Sequence, residues 1–185
     1  MELPGQTFAE VTDASGMGIA YKIGHFDGIL GLAFDKLAVC DYPYKSSCVE
    51  TPFHRMIDAG LVDEPIFSFY LGDLKNFGRY GYDGELLLGG TDSKYFEGDI
   101  TYHDLKAADY WRIGIDSISV DGTDYTSENN RVAIVDSGTS LLTGPSKAVE
   151  SIATALNATA NKLTGEYFVD CSQELPVSFG CLAFA

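Results

Sequence analysis

The residues best placed to do chemistry lie in one run, Arg131 to Pro145, RVAIVDSGTSLLTGP. Asp136 is the acid of that run, and Ser137, Thr139 and Ser140 follow it closely. A carboxylate at the tip of a tight loop can serve as a general acid or base once donors fix its orientation. The hydroxyls of Ser137, Thr139 and Ser140, with nearby backbone N–H groups, could supply those donors. Gly138 is free to take positive φ and so permits the turn. D-S-G alone is also ordinary turn chemistry. The flanks add weight: Val132 to Val135 reads as a short buried strand, and Leu141-Leu142 followed by Gly144-Pro145 closes the loop. Asp136 is thus expected between two apolar anchors.

At this point the residues carry a resemblance. AIVDSGTSLLTGP resembles the second active-site motif of the pepsin-like aspartic proteases, the cathepsin D and pepsin family. Three further blocks resemble that family in the same order: FDGILGL at Phe26 to Leu32, GELLLGGTD at Gly84 to Asp92, and the pair Tyr110-Trp111. Together they cover the chain from Gln6 to about Phe179. The resemblance implies a mostly β, pepsin-like acid protease fold: two incomplete β lobes with a few short helices. Residues 1–90 would be the back half of the N-terminal lobe, and 91–185 the front half of the C-terminal lobe.

The implied activity is aspartic endopeptidase. In that family two carboxyl groups share one proton, so one activates water while the other holds the proton. Asp136 falls on the catalytic aspartate of the second motif, with Ser137, Gly138, Thr139 and Ser140 as its supporting loop. By the same resemblance Phe26, Ile29, Tyr110 and Thr139 line the substrate groove. The first catalytic D-T-G and the flap have no counterpart among these residues; Asp13-Ala14-Ser15-Gly16 is only a polar turn. The chain therefore reads as a fragment, inactive alone, of a monomeric parent acting on peptides or proteins. The alternative is a catalytically dead homologue that binds peptides or a protein partner. A homodimer of the retroviral kind fits poorly, because Ile29-Leu30-Gly31 precedes Asp136 and should follow it.

Composition narrows the remaining classes. The 185-residue chain is 45% hydrophobic and carries a net charge of −15 with a pI near 4.3. That acidity argues against nucleic-acid binding, which needs clustered Lys and Arg. No apolar run is long enough for a membrane span. No cofactor is expected, and no metal either, since C-x-x-C and paired-His spacings are absent. Met1-Glu2-Leu3-Pro4 does not read as a secretory leader. The family nevertheless implies a secretory route, to a lysosome or vacuole or to the cell exterior. The cysteines are Cys40, Cys48, Cys171 and Cys181. Cys40 and Cys48 flank the loop DYPYKSS and are the preferred disulfide; Cys171 resembles a family half-cystine whose partner stays open. Asn157-Ala158-Thr159 satisfies the N-glycosylation sequon.

The positioning elements follow from pattern. Residues 1 to 34 read as β structure, with weak alternation over Gln6 to Thr12 and a turn over Asp13 to Gly18. Phe26 to Phe34 reads as a tight apolar unit in which Gly28 and Gly31 imply close backbone approach or special φ. Thr51 to Ala59 predicts a short helix, opened by Pro52 and ended by Gly60, with His54 as a surface or packing residue. Strands are expected at Ile66 to Leu71, Glu85 to Leu88, Thr101 to Leu105 and Tyr110 to Val120. Gly72 to Asp83 should be a surface loop or hairpin. Asp121-Gly122 signals a hairpin turn, and 123 to 131 a polar loop. A helix capped by Ser146 should run to Leu156, with Val149, Ile152, Ala153 and Leu156 on one face. Glu166 to Cys171 and Leu175 to Phe179 are again strand-like.

Overall fold

A proline and a glycine bracket the first helix, α1 (Pro52–Asp58). Pro52 occupies the first helical position, where its missing N–H forfeits no hydrogen bond. Beyond the helix Gly60 turns left-handed at φ 63°. Its N–H donates to the Ile57 carbonyl at 3.0 Å, and the Leu61 N–H to Met56 at 2.9 Å. This is a Schellman ending, which satisfies carbonyls that the helix leaves unpaired. The computed structural model describes residues 2–17, 24, 26–38, 49–72, 84–126 and 131–170. The four cysteines, most of the Gly72 to Asp83 segment and the Leu175 to Phe179 segment lie outside the described residues, and with them the expected disulfide.

Contacts divide the chain into two compact units, Met1–Asp99 and Ile100–Phe184. The lobe boundary at 90/91 remains a reading of the family resemblance. In the first unit α1 buries Phe53, whose ring meets Phe67 edge-on at 5.1 Å. Phe67 opens β1 (Phe67–Tyr70), which pairs antiparallel with β2 (Glu85–Leu88), Phe67 opposite Leu88 and Tyr70 opposite Glu85. Just past β2, Gly89 sits at φ 93°, and a Cβ there would lie 3.1 Å from the Asp63 nitrogen. Both facts require glycine, so this member of the GELLLGG block is fixed by backbone geometry.

In the second unit β3 (Arg112–Gly114) pairs antiparallel with β6 (Val132–Ile134), Arg112 opposite Ile134. Leu105 bridges Ile113 on the other edge of β3. A hairpin joins β4 (Ser119–Val120) to β5 (Thr123–Asp124). Its two turn residues, Asp121 and Gly122, are both left-handed, at φ 48° and 73°. That is the two-residue turn whose twist matches its strands, and it sits where the sequence placed it. Helix α2 (Ser146–Ala155) follows, and then β7 (Thr159–Ala160) pairs with β8 (Tyr167–Phe168). Among the described residues there are two α-helices and four antiparallel strand pairs, a mostly β chain.

Several expectations need correction. Gln6 to Thr12 is not a strand. An alternating pattern becomes a strand only where a neighbour takes its ladder bonds. Side chains bond at its start: Gln6 Nε2 donates to the Glu50 carbonyl at 3.2 Å, and just ahead of the segment Arg55 Nη2 donates to the Pro4 carbonyl at 3.0 Å. Gly28 and Gly31 have ordinary φ, and a Cβ at either would find no atom within 4 Å, so neither close approach nor special backbone explains them. Tyr110 to Val120 forms two short strands, and Thr101 to Leu105 contributes one bridge. Ser146 is the first helical residue and makes no capping bond, because Pro145 occupies the N-cap. Ala153 is buried, and Val149, Ile152 and Leu156 are partly buried, as the helical face predicts.

His54 has a partner that its sequence context did not suggest. Its Nδ1 bonds Asp35 Oδ2, while Asp35 Oδ1 accepts the Thr51 N–H at 2.7 Å. The hydrogen bond to Asp35 raises the His54 pKa above 6.5, against a smaller effect of burial, with the charges of Asp35, Asp58 and Glu50 adding to the rise. For Asp35, burial pushes upward but is outweighed by the Thr51 N–H and His54, so its pKa falls below 3.8. A raised histidine stabilises fully below its unfolded pKa and a lowered carboxyl fully above its own. The pair therefore contributes fully between about pH 3.8 and 6.5. It fades as pH rises through the raised His54 value or falls through the lowered Asp35 value. His54 is 50% exposed, so the contribution stays under about 1 kcal/mol. Imidazole proton titration should give His54 a pKa above 6.5 that drops in Asp35→Asn; an equal value in both proteins would refute the pairing.

Candidate active site

β6 delivers Asp136 to its place. The β3–β6 ladder runs on past the strands, with the Val135 N–H donating to the Trp111 carbonyl at 2.8 Å. Asp136 is the next residue, so the loop starts where the ladder stops. The Gly138 N–H donates to Asp136 Oδ1 at 2.9 Å, the Thr139 hydroxyl donates to Oδ2, and the Thr139 N–H closes the turn on the Asp136 carbonyl at 3.2 Å. Both carboxylate oxygens are thus held. Ser137 and Ser140 make no hydrogen bond to it among the described residues. Gly138 is not left-handed; a Cβ there would lie 3.2 Å from Asp136 Oδ1. Glycine at that position lets the carboxylate approach closely, and positive φ plays no part.

These bonds favour the charged form. The Thr139 hydroxyl, then the Gly138 N–H, hold the Asp136 carboxyl below 3.8 against a small opposing effect of burial. The result is an exposed, ionised carboxylate in a fixed orientation, fit to accept a proton from water. The apolar anchors differ from expectation. Val132, Ile134 and Leu141 are exposed, and Leu142 is 86% exposed. Among the described residues β6 pairs only with β3, and a two-stranded ribbon covers little of either face. A leucine pair anchors a loop only where something packs against it.

Tyr110 and Thr139 come to the same end of the β3–β6 pair as Asp136: Tyr110 and Asp136 each adjoin a partner in the Val135–Trp111 bond. Tyr110 is 47% exposed. Phe26 and Ile29 belong to the first unit, where both are exposed, Ile29 at 80%. Asn157 lies beyond α2, away in sequence from this loop. Among the described residues no cluster of His, Cys, Asp and Glu could hold a metal ion, and no helix is long and apolar enough to cross a membrane.

Sequence reasoning missed one pair beside the site. Asp109 is 8% exposed. Arg112 Nη2 donates to Asp109 Oδ2 at 2.8 Å, and Arg112 Nε lies 2.8 Å from Oδ1. Asp109 Oδ1 also accepts the Tyr110 N–H at 2.7 Å. The two-pronged contact pins the start of β3, the strand that sets the height of Asp136. The D-x-x-R spacing around Tyr110-Trp111 was visible, but nothing in the sequence showed that Asp109 is buried.

Comparison with known proteins fits this geometry. The family model described as eukaryotic aspartyl protease matches residues 1–181. The chain belongs to that family. A protein named probable vacuolar protease A from Trichophyton verrucosum is 39% identical over 173 residues, covering 94% of this chain and 40% of the relative. The vacuolar aspartic protease of Candida albicans is 36% identical over 183 residues, 99% of this chain and 41% of the relative. Cathepsin D of Gallus gallus is 36% identical over 179 residues, 96% of this chain and 42% of the relative. The chain thus spans about two-fifths of the length of these relatives.

Within this chain two substitutions probe the loop and its support. Thr139→Val removes the hydroxyl donor, so the Asp136 pKa should rise toward 3.8, read from carboxyl-carbon shifts against pH; an unmoved pKa would show that Thr139 does not hold the carboxylate. Arg112→Ala strips a charge-assisted hydrogen bond and the paired positive charge from a buried carboxylate and should lower stability by about 1–3 kcal/mol. A denaturation midpoint unchanged from the parent would contradict that role.

Proposed function

We propose that this chain carries one half of the catalytic dyad of an aspartic endopeptidase, with Asp136 as that half. The observation that supports it most is the pair of hydrogen bonds that hold both Asp136 oxygens at the end of a fixed ladder. In the reaction a second carboxyl group, brought close to Asp136, retains the proton that the pair shares, as aspartic protease dyads do. Ionised Asp136 takes a proton from water, and the water oxygen attacks the peptide carbonyl. The partner carboxyl protonates the developing oxyanion. Collapse of the tetrahedral species returns that proton and passes the other to the leaving amine. Sharing one proton makes the activity an acid one. No cofactor enters, and no metal.

The substrate is a peptide or unfolded protein cut between bulky apolar residues. Tyr110 and Thr139 flank Asp136 within the second unit, while Phe26 and Ile29, exposed in the first, correspond by the resemblance to apolar groove residues of the family. The vacuolar names of two of the relatives support a vacuole-like compartment reached through the secretory pathway. A Cys40–Cys48 disulfide and a monomeric parent accord with that route.

The test compares two products of the reading frame. The 185-residue chain holds a single D-S-G and should not cleave denatured protein at acid pH. The longest product of the frame should cleave it, and Asp136→Asn should lower kcat/KM by about a thousandfold or more, the scale of losing one member of a catalytic unit. Undiminished cleavage by Asp136→Asn would overturn the assignment. Tight peptide binding without cleavage by the longest product would favour the peptide-binding homologue instead.

A further inference from the structure

The two helices of the described chain end alike but with different residues. Beyond α2 the Asn157 N–H donates to the Thr154 carbonyl at 3.1 Å, and the Ala158 N–H to the Ala153 carbonyl at 2.8 Å. These are the same two bonds that close α1, and Asn157 sits at φ 51° where α1 has Gly60 at φ 63°. Glycine reaches that backbone region without steric cost, and asparagine tolerates it. The helix end therefore asks only for tolerance of positive φ at 157. Thr159 lies beyond it, in β7 opposite Phe168, where the pairing uses its backbone and leaves its hydroxyl unused. Yet Thr159 completes the triplet Asn157-Ala158-Thr159. Asn157 and Thr159 are both exposed, and neither side chain makes a hydrogen bond among the described residues.

We infer that Asn157 is an N-glycosylation site that accepts an oligosaccharide from a lipid-diphosphate donor. In the transfer a bond forms between Asn157 Nδ2 and the anomeric carbon of the sugar. The bond from that carbon to the diphosphate oxygen breaks, the lipid diphosphate leaves with the electron pair, and Nδ2 releases one proton. Nothing is oxidised or reduced. Thr159 supplies the hydroxyl that the acceptor triplet requires. The fold accommodates the product, because both bonds of the helix end run through backbone atoms and leave Nδ2 outside. The inference rests on the secretory route proposed above, but not on catalysis.

The experiment translates the 185-residue chain, with a cleavable leader fused ahead of Met1, in the presence of microsomal membranes. Only the chain protected from added protease is scored. One mobility step, removed by an amide-cleaving glycosidase, is expected. Thr159→Ala should abolish the step while keeping the helix end, and Thr159→Ser should retain it. Asn157→Gly should also abolish it, with the left-handed ending preserved. Asp136→Asn should be modified like the parent, so failure of the catalytic reading leaves this one standing. A protease-protected chain without the step, or a step that survives Thr159→Ala, would overturn the inference.

Discussion

One ladder hydrogen bond, from the Val135 N–H to the Trp111 carbonyl, ties the candidate active-site loop to the strand beside it. The position of Asp136 depends on it, because the next residue already belongs to the turn. β6 has three residues and β3 has three, so this bond is a large share of what fixes the height of the carboxylate. The Asp109–Arg112 contact acts on the same strand from the other side of Trp111. The position of Asp136 is therefore set by backbone registry first, and its orientation by its own hydrogen bonds.

The loop itself is satisfied locally. An Asx-type bond from Gly138, a hydroxyl bond from Thr139 and a β-turn bond spend the polar groups of the turn on each other. Local satisfaction makes D-S-G-T a turn, and the same bonds that make it a turn also keep the carboxylate ionised. What the turn does not supply is a second carboxylate. The proposed dyad requires one, and so the family relationship bears on the function more than the loop geometry does.

The two units use few buried residues. Phe53 in the first, and Val120, Ala153 and Asp109 in the second, are the buried residues among those described. Their strands come in pairs, and residues such as Leu142 and Leu163 stay exposed. Order in these units comes mainly from short-range devices: Schellman endings, the Asp121-Gly122 hairpin, the Gly89 kink and the Asp35 bonds that join the 35–37 turn to α1.

Local sequence was sufficient for the family, the D-S-G-T-S loop, the α1 and α2 segments, the β1, β2 and β6 strands and the hairpin turn, because each rests on local propensity or on a contiguous motif. Proline, glycine and Asp-Gly act over a few residues, so their effects are readable without the fold. Which alternating segments became strands was settled in three dimensions: Gln6 to Thr12 did not, and Tyr110 to Val120 did so only at Arg112–Gly114 and Ser119–Val120, where partner strands lie. The folded chain alone revealed the Asp109–Arg112 and Asp35–His54 pairs, and that Gly138 serves close approach. It also left Leu141 and Leu142 uncovered where pattern suggested burial. The reason is common to all of these: burial and pairing are properties of what lies across from a residue, and a linear pattern records only what lies beside it.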